Sequence, residues 1–190
     1  MAVVTLSRQL GSLGDEIALL LQHMLNYKIY DREIINKAAL RVGKPVIALA
    51  TIDELGLLGL RPDIKSRQAY LLSVSELMRE VADKGRAIIV GRAGQFILKD
   101  YPEVYHFRVI APADVRARRI SLIKEIPLEC AQAQINTSDE MRYRYLKRYY
   151  GANLNDPELY DLIINTAQIS PEQAAHLICQ SIEQYEIRIQ

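Results

Sequence analysis

The stretch from Ala2 to Leu25, AVVTLSRQLGSLGDEIALLLQHML, constrains this chain more than any other. Val3, Val4 and Leu6 form a short apolar run rich in β-branched residues, the pattern of a parallel strand buried on both faces. Ser7 to Gly14 break that pattern with two glycines. From Ile17 the apolar residues recur as Ile17, Leu20, Leu21, Met24 and Leu25, on one helical face. A strand, a glycine-containing turn and a helix start, in that order, suit an anion. The first backbone N–H groups of a helix have no internal partner, and the helix dipole favours negative charge there.

The matching motif for phosphate would be G-x-x-x-x-G-K-[ST]. With Gly14 as its second glycine, Asp15 stands in the place of lysine, Glu16 in the place of Ser or Thr, and Gln9 in the place of the first glycine. Two readings compete. Asp15 and Glu16 suit the first turn of any helix, where acids stabilise by ~0.3–1 kcal/mol. Alternatively the loop still holds phosphates, with Arg8 supplying the missing positive charge and Glu16 offering oxygen to Mg²⁺.

Length and charge narrow the classes. At 190 residues the chain is of ordinary size for one domain with a real core. A net charge of +1 gives no general case for nucleic acid or an anionic membrane. Cys130 and Cys179 lie far apart and in no C-x-x-C arrangement, which suits a reducing compartment. The start of the chain lacks the charged and apolar segments of a secretory signal, and no apolar run nears ~20 residues. The expectation is a cytoplasmic protein that does not engage a membrane, as a monomer or a homodimer.

Along the chain, strands alternate with helices. Tyr27 to Tyr30 reads as a strand, closed by Asp31 as N-cap of a helix from Arg32, with Tyr30 and Ile35 as a staple. Lys44-Pro45 interrupts that helix, and Val46 to Pro62 gives a mixed signal. Ile64 to Lys84 is a long helix with Leu71, Leu72, Val74, Leu77, Met78 and Val81 on its apolar face, ended by Gly85. Arg86 to Gly91, Glu103 to Ile110 and Asp161 to Thr166 read as further strands, the first delivering Arg92 to a strand's carboxyl end, where open α/β sheets bind ligands. Pro112 opens one helix. Ser170-Pro171-Glu172-Gln173 opens the last, with a capping box and Ala174, Leu177, Ile178 and Ile182 facing inward. The alternation predicts an α/β fold with a central parallel sheet.

The densest charge lies between the third and fourth buried strands. Arg116, Arg118 and Arg119 fall on one helix, and Arg142, Arg144, Lys147 and Arg148 on another, interleaved with tyrosines. A solvated basic face would account for any one of them. As a set they fit a lid that closes over phosphates, because the planar guanidinium binds phosphate oxygens bidentately and stays charged. An RNA-binding helix shares this composition, but the feature is confined to one segment of a near-neutral chain. His23, His106 and His176 have no metal-ligand spacing, and no G-x-S-x-G suggests acyl transfer.

In order and spacing, SRQLGSLGDEIA, IYDREII, AIIVGRAGQFIL, the Arg116/Arg119 helix start, SDEMRYRYLKRYYG and LYDLIINTAQISPEQA resemble the cytidylate kinase-like family, a branch of the P-loop nucleoside monophosphate kinases. The resemblance implies one three-layer P-loop kinase domain over 1–190, with a helical substrate-binding insertion at 32–84 and an arginine-rich lid at 112–150. It implies phosphoryl transfer from ATP, with Mg²⁺, to a nucleoside monophosphate, most naturally CMP or dCMP. Carried over by position, Gly11, Ser12, Leu13, Gly14, Asp15 and Glu16 would wrap the donor phosphates together with Arg8, and Glu16 would meet the metal. Asp31, Arg32, Arg92 and Asp139 would bind the acceptor, while Arg116, Arg119 and Arg142 would act in catalysis.

Two departures from the family pattern bear on the reaction. The loop lysine is replaced by Asp15, and Arg32 follows Asp31 where cytidylate kinases carry Ser or Thr. A catalytically silent nucleotide-binding protein is therefore the competing reading, and a nucleic-acid module using the lid is a third.

Overall fold

In the computed structural model, which describes residues 2–43 and 64–189, five parallel strands are ordered β2-β3-β1-β4-β5. They are β1 (Val3–Arg8), β2 (Lys28–Tyr30), β3 (Ala87–Val90), β4 (Val104–Ile110) and β5 (Leu162–Asn165). The helices are α1 (Gly14–Leu25), α2 (Arg32–Val42), α3 (Ile64–Lys84), α4 (Gly94–Ile97), α5 (Ala113–Lys124), α6 (Leu128–Tyr150) and α7 (Pro171–Ile189), with a 3₁₀ turn at Pro157–Leu159. The Lys44-Pro45 break, the mixed Val46 to Pro62 stretch and the side chains of Arg32 and Ile35 lie outside the described residues.

β1 takes the central place. β1 pairs with β3 on one side and β4 on the other, Leu6 standing between Val90 and Phe107. Side chains alternate across a strand, so consecutive residues serve opposite layers. Val4, Leu6, Ile88, Val90, Phe107 and Val109 pack under α1 and α7, while Val3, Ala87, Ile89 and Val104 pack against α2 and α3. Toward the carboxyl end this second face becomes polar, with Thr5, Ser7, His106 and Arg108 all buried. The hairpin of α5 and α6 has its own small core of Ala117, Ile120, Ala131 and Ile135, joined to Leu10 of the loop.

The capping box at the last helix is present: Ser170 N–H donates to Gln173 Oε1 at 3.0 Å, and Gln173 N–H to Ser170 Oγ at 3.2 Å. Three expected core residues, Met24, Leu72 and Leu177, are instead exposed. Their places are taken by Ala18, Tyr70, Ala175 and Cys179. Small residues let α1 and α7 lie close together over the sheet, which turns the contact stripe away from Met24 and Leu177. Four strands, β2 to β5, start one residue later than expected; at β3 and β4 the reason is that Arg86 and Glu103 adopt φ of 51° and 56°, outside the β region. Among the described residues no helix is long and apolar enough to cross a membrane.

Candidate functional site

The loop between β1 and α1 is fixed by two close approaches. A Cβ at Gly11, whose φ is +79°, would lie 2.9 Å from the Arg116 carbonyl oxygen, so the loop touches α5 at backbone level. A Cβ at Gly14 would lie 2.5 Å from Cβ of Arg8, so the Arg8 side chain folds over the helix start. Ser12 tightens the turn, donating from its amide (3.2 Å) and its hydroxyl (2.8 Å) to the Gln9 carbonyl. Leu13 adopts φ 66°, and its carbonyl accepts the first helical bond from Ile17 at 3.0 Å. The amides from Leu13 to Glu16 thus precede the first helical donor and have no backbone partner among the described residues. They border a cavity of ≈ 140 Å³, lined also by Ile120, Ile123 and Arg142.

A line of alternating charges crosses the mouth of the loop. Arg8 Nε lies 3.0 Å from Asp15 Oδ1, Arg8 Nη2 3.9 Å from Asp31 Oδ2, and Arg92 Nη2 3.6 Å from Asp31 Oδ1. Arg92 gets there through an uncommon backbone: Gly91, Arg92 and Ala93 have φ of 74°, 58° and 57°. Left-handed conformations cost a residue with a Cβ roughly 1–2 kcal/mol. Ties on both sides hold the turn, from Gly91 N–H to the Leu6 carbonyl (3.0 Å) and from Gly94 N–H to the Gly91 carbonyl (3.1 Å).

Five arginines of α5 and α6 fall into three groups. Arg116, 4% exposed, gives its donors to protein oxygens: Nε to Ala111 O (2.9 Å), Nη1 to Leu10 O (3.3 Å), and a bidentate pair to Asp139 (3.3 and 2.8 Å). Arg119 donates to the Gly11 carbonyl (3.3 Å) and to both oxygens of Thr166 (3.1 and 2.6 Å). These two clamp the loop from behind. Arg142, bonded to the Ser138 hydroxyl at 2.6 Å, faces the loop cavity and also an adjoining one of ≈ 320 Å³. Arg118 and Arg144 point outward and pair with Asp114 and Glu140 on their own helices.

For Mg²⁺ the donor set is sparse. No group of three His, Cys, Asp or Glu residues that could hold an ion exists among the described residues. Glu16 is an exposed carboxylate in the first turn of α1. That fits an ion which keeps its waters and takes one or two carboxylates plus substrate phosphates.

Three contributors were not anticipated from the sequence. Gln9 Oε1 accepts from Ala111 N–H at 3.1 Å, tying the loop to the end of β4. The Thr166 hydroxyl donates to the Ser12 carbonyl (2.9 Å), tying it to the end of β5. Arg108 lies buried in β4 and lines the larger cavity. A charged residue inside a mostly apolar strand was the available signal.

Comparison with known proteins agrees with this layout. The chain is 26% identical to a cytidylate kinase of Ignicoccus hospitalis over 94% of its length and 97% of that protein's. It is 25% identical to a cytidylate kinase of Saccharolobus islandicus, over 93% and 88%. Its fold matches a crystal structure of an uncharacterized protein from Eubacterium ventriosum, with TM-score 0.75, 19% identity and coverage of 96% and 99%. It also matches shikimate kinase from Acinetobacter baumannii, with TM-score 0.55, 13% identity and coverage of 97% and 94%. The fold is the P-loop kinase fold. The profile of the cytidylate kinase-like family aligns with residues 3–168. Because that span runs from the first residue of β1 past the end of β5, and so takes in sheet, loop and the α5–α6 hairpin together, the chain belongs to the cytidylate kinase-like family.

Proposed function

We propose that this protein is an ATP-dependent kinase of a small phosphorylated acceptor, with a nucleoside monophosphate, CMP or dCMP, as the first choice. One observation carries the reading. The cavity beside the loop amides and the larger cavity beside Asp139 share Arg8, Gln9 and Arg142. Two compartments meeting at two arginines suit a donor and an acceptor brought end to end. Transfer through a loose transition state needs positioning and charge neutralisation more than covalent chemistry.

In this reading the loop Gly11 to Glu16, through the amides not used within the turn, and the Arg8 guanidinium bind the donor phosphates. Arg116 and Arg119 keep the loop in shape, and Arg142 reaches the phosphoryl group in transit. Asp31, Arg32, Arg92 and Asp139 form the acceptor side, residues 32–84 the acceptor-binding insertion and 112–150 the lid. Mg²⁺, when bound, would neutralise phosphate charge with Glu16 as a protein ligand. A coupled assay of ADP formation over CMP, dCMP, UMP, AMP and shikimate tests the proposal. Turnover that depends on a monophosphate supports it; none with any acceptor overturns it.

A second reading, a nucleotide-binding protein without turnover, is favoured by the Arg8–Asp15 pair, which engages a cation at the loop's front. Calorimetric binding of ATP together with no turnover in that assay would select it.

A further inference from the structure

Ser7 and Arg108 stand beside each other at the carboxyl ends of β1 and β4, 8% and 5% exposed. The Arg108 guanidinium donates to the Leu154 carbonyl, to the Tyr160 hydroxyl at 2.9 Å and to Asn155 Oδ1 at 2.8 Å. All three partners are neutral. Among the described residues no carboxylate pairs with Arg108, and its Nε–H and one Nη2–H have no protein acceptor. Arginine does not escape the cost of burial by losing its proton. A buried guanidinium without counter-charge therefore calls for an anion.

Space for one adjoins it. Arg108 lines the ≈ 320 Å³ cavity with Ser7, Arg8, Arg142 and Asn155. The two carboxylates in that lining, Asp139 and Glu140, are held by Arg116 and Arg144, neither of which faces the cavity. Three arginines thus line the wall, Arg8 among them as the partner of Asp15 and Asp31, and their planar forks match phosphate oxygens.

We infer that this cavity is a phosphate site organised by Arg108, and that it seats the phosphate-bearing end of the acceptor. The inference rests on the kinase reading above for the identity of the occupant, but not for the anion site itself. Through Asn155, Tyr160 and the Leu154 carbonyl, Arg108 also ties the site to the segment after α6. An occupied site would hold that segment more firmly.

The test uses the full chain with arginine Nε labelled by ¹⁵N, and the Arg108 resonance assigned by its loss in Arg108→Lys. Inorganic phosphate, cytidine and CMP are titrated separately. Phosphate and CMP should shift the Arg108 Nε–H resonance, and cytidine should not. In calorimetry Arg108→Met should lose about tenfold or more in affinity for phosphate and CMP, as expected for a charge-assisted hydrogen bond. Arg108→Lys should recover part of that loss. Tyr160→Phe, which removes a clamp contact but keeps the charge, should bind phosphate like the wild type.

If phosphate shifts the resonance and CMP binds nowhere, the anion site stands and the nucleotide reading falls. If phosphate shifts it while CMP binds without doing so, the site belongs to free phosphate, and the assignment to the acceptor is overturned. If CMP binds, neither probe moves the resonance and Arg108→Met binds normally, Arg108 only clamps the segment and the inference fails. Should Arg108→Met not fold, the wild-type titration decides.

Discussion

Arg8 Nε donates to Asp15 Oδ1 at 3.0 Å, so the residue in the place of a P-loop lysine is tied to a cation seven positions earlier. The side chain of Asp15 is 77% exposed and that of Arg8 only 13%. An ion pair with one partner so exposed contributes ~0–1 kcal/mol. It is easily exchanged for a pair between Arg8 and a phosphate.

In the proposed reaction that exchange would make Asp15 a competitor of the donor nucleotide. Asp15→Asn should tighten ATP binding by about fivefold, the equivalent of ~1 kcal/mol. Asp15→Lys should tighten it further, and wild-type affinity should depend strongly on Mg²⁺. Isothermal titration of the three proteins, with and without the metal, measures this. Equal affinities would mean that position 15 does not face the phosphates.

Arg92 separates binding from backbone strain. With φ of 58° it occupies a conformation that glycine adopts freely. Arg92→Gly should leave the melting temperature within a few degrees of wild type, because relief of ~1–2 kcal/mol of strain offsets the lost ion pair with Asp31. Acceptor KM should rise at least severalfold. A large fall in melting temperature with KM unchanged would make Arg92 a structural residue.

The bidentate Arg116–Asp139 pair joins the first turn of α5 to the middle of α6. Asp139→Ala would leave Arg116 buried with only carbonyl partners, a loss near the lower end of what breaking a buried pair costs, ~3 kcal/mol. For a chain of this size that is about 6–12 °C in melting temperature by calorimetry. A drop of under 2 °C would show that the hairpin does not depend on this pair.

His106 gives the fold a pH dependence of stated sign. Burial beneath the sheet pushes its pKa below the ordinary value of 6.5, against the opposing pull of Asp161. Neutral His106 meets Thr5 Oγ1 at 2.7 Å through Nδ1. Because the folded pKa is depressed, the contribution is complete above the unfolded value and is lost as pH falls through and below 6.5, where the unfolded chain takes up a proton first. The melting temperature should decline between pH 7.5 and 5.5, and less steeply in His106→Gln. Parallel slopes in the two proteins would assign the decline to other groups.

Much of the fold was legible because its signals are local. The apolar run Val3 to Leu6, the strands around Ile88 and Phe107, and the Ser170–Gln173 box each carry their own pattern and each forms, although β1 runs on through Ser7 and Arg8, where the pattern breaks. Helix faces were less legible. Periodicity marks an apolar stripe, but only the neighbour decides which edge of it is covered, and so Tyr70 is buried while Leu72 is not.

By itself, then, the sequence determined the alternation of strands and helices, the glycine turn between β1 and α1, and the crowding of arginines after β4. These depend on residues within about one helix or strand of each other. Only the tertiary structure decided what the charges do. It buried Arg116 against Asp139, set Arg119 on Gly11 and Thr166, and placed Arg108 in the wall of a cavity with Arg8 and Arg142. An arginine's role depends on the counter-charge and water around its guanidinium, and those come from segments as far as 108 positions away in the chain.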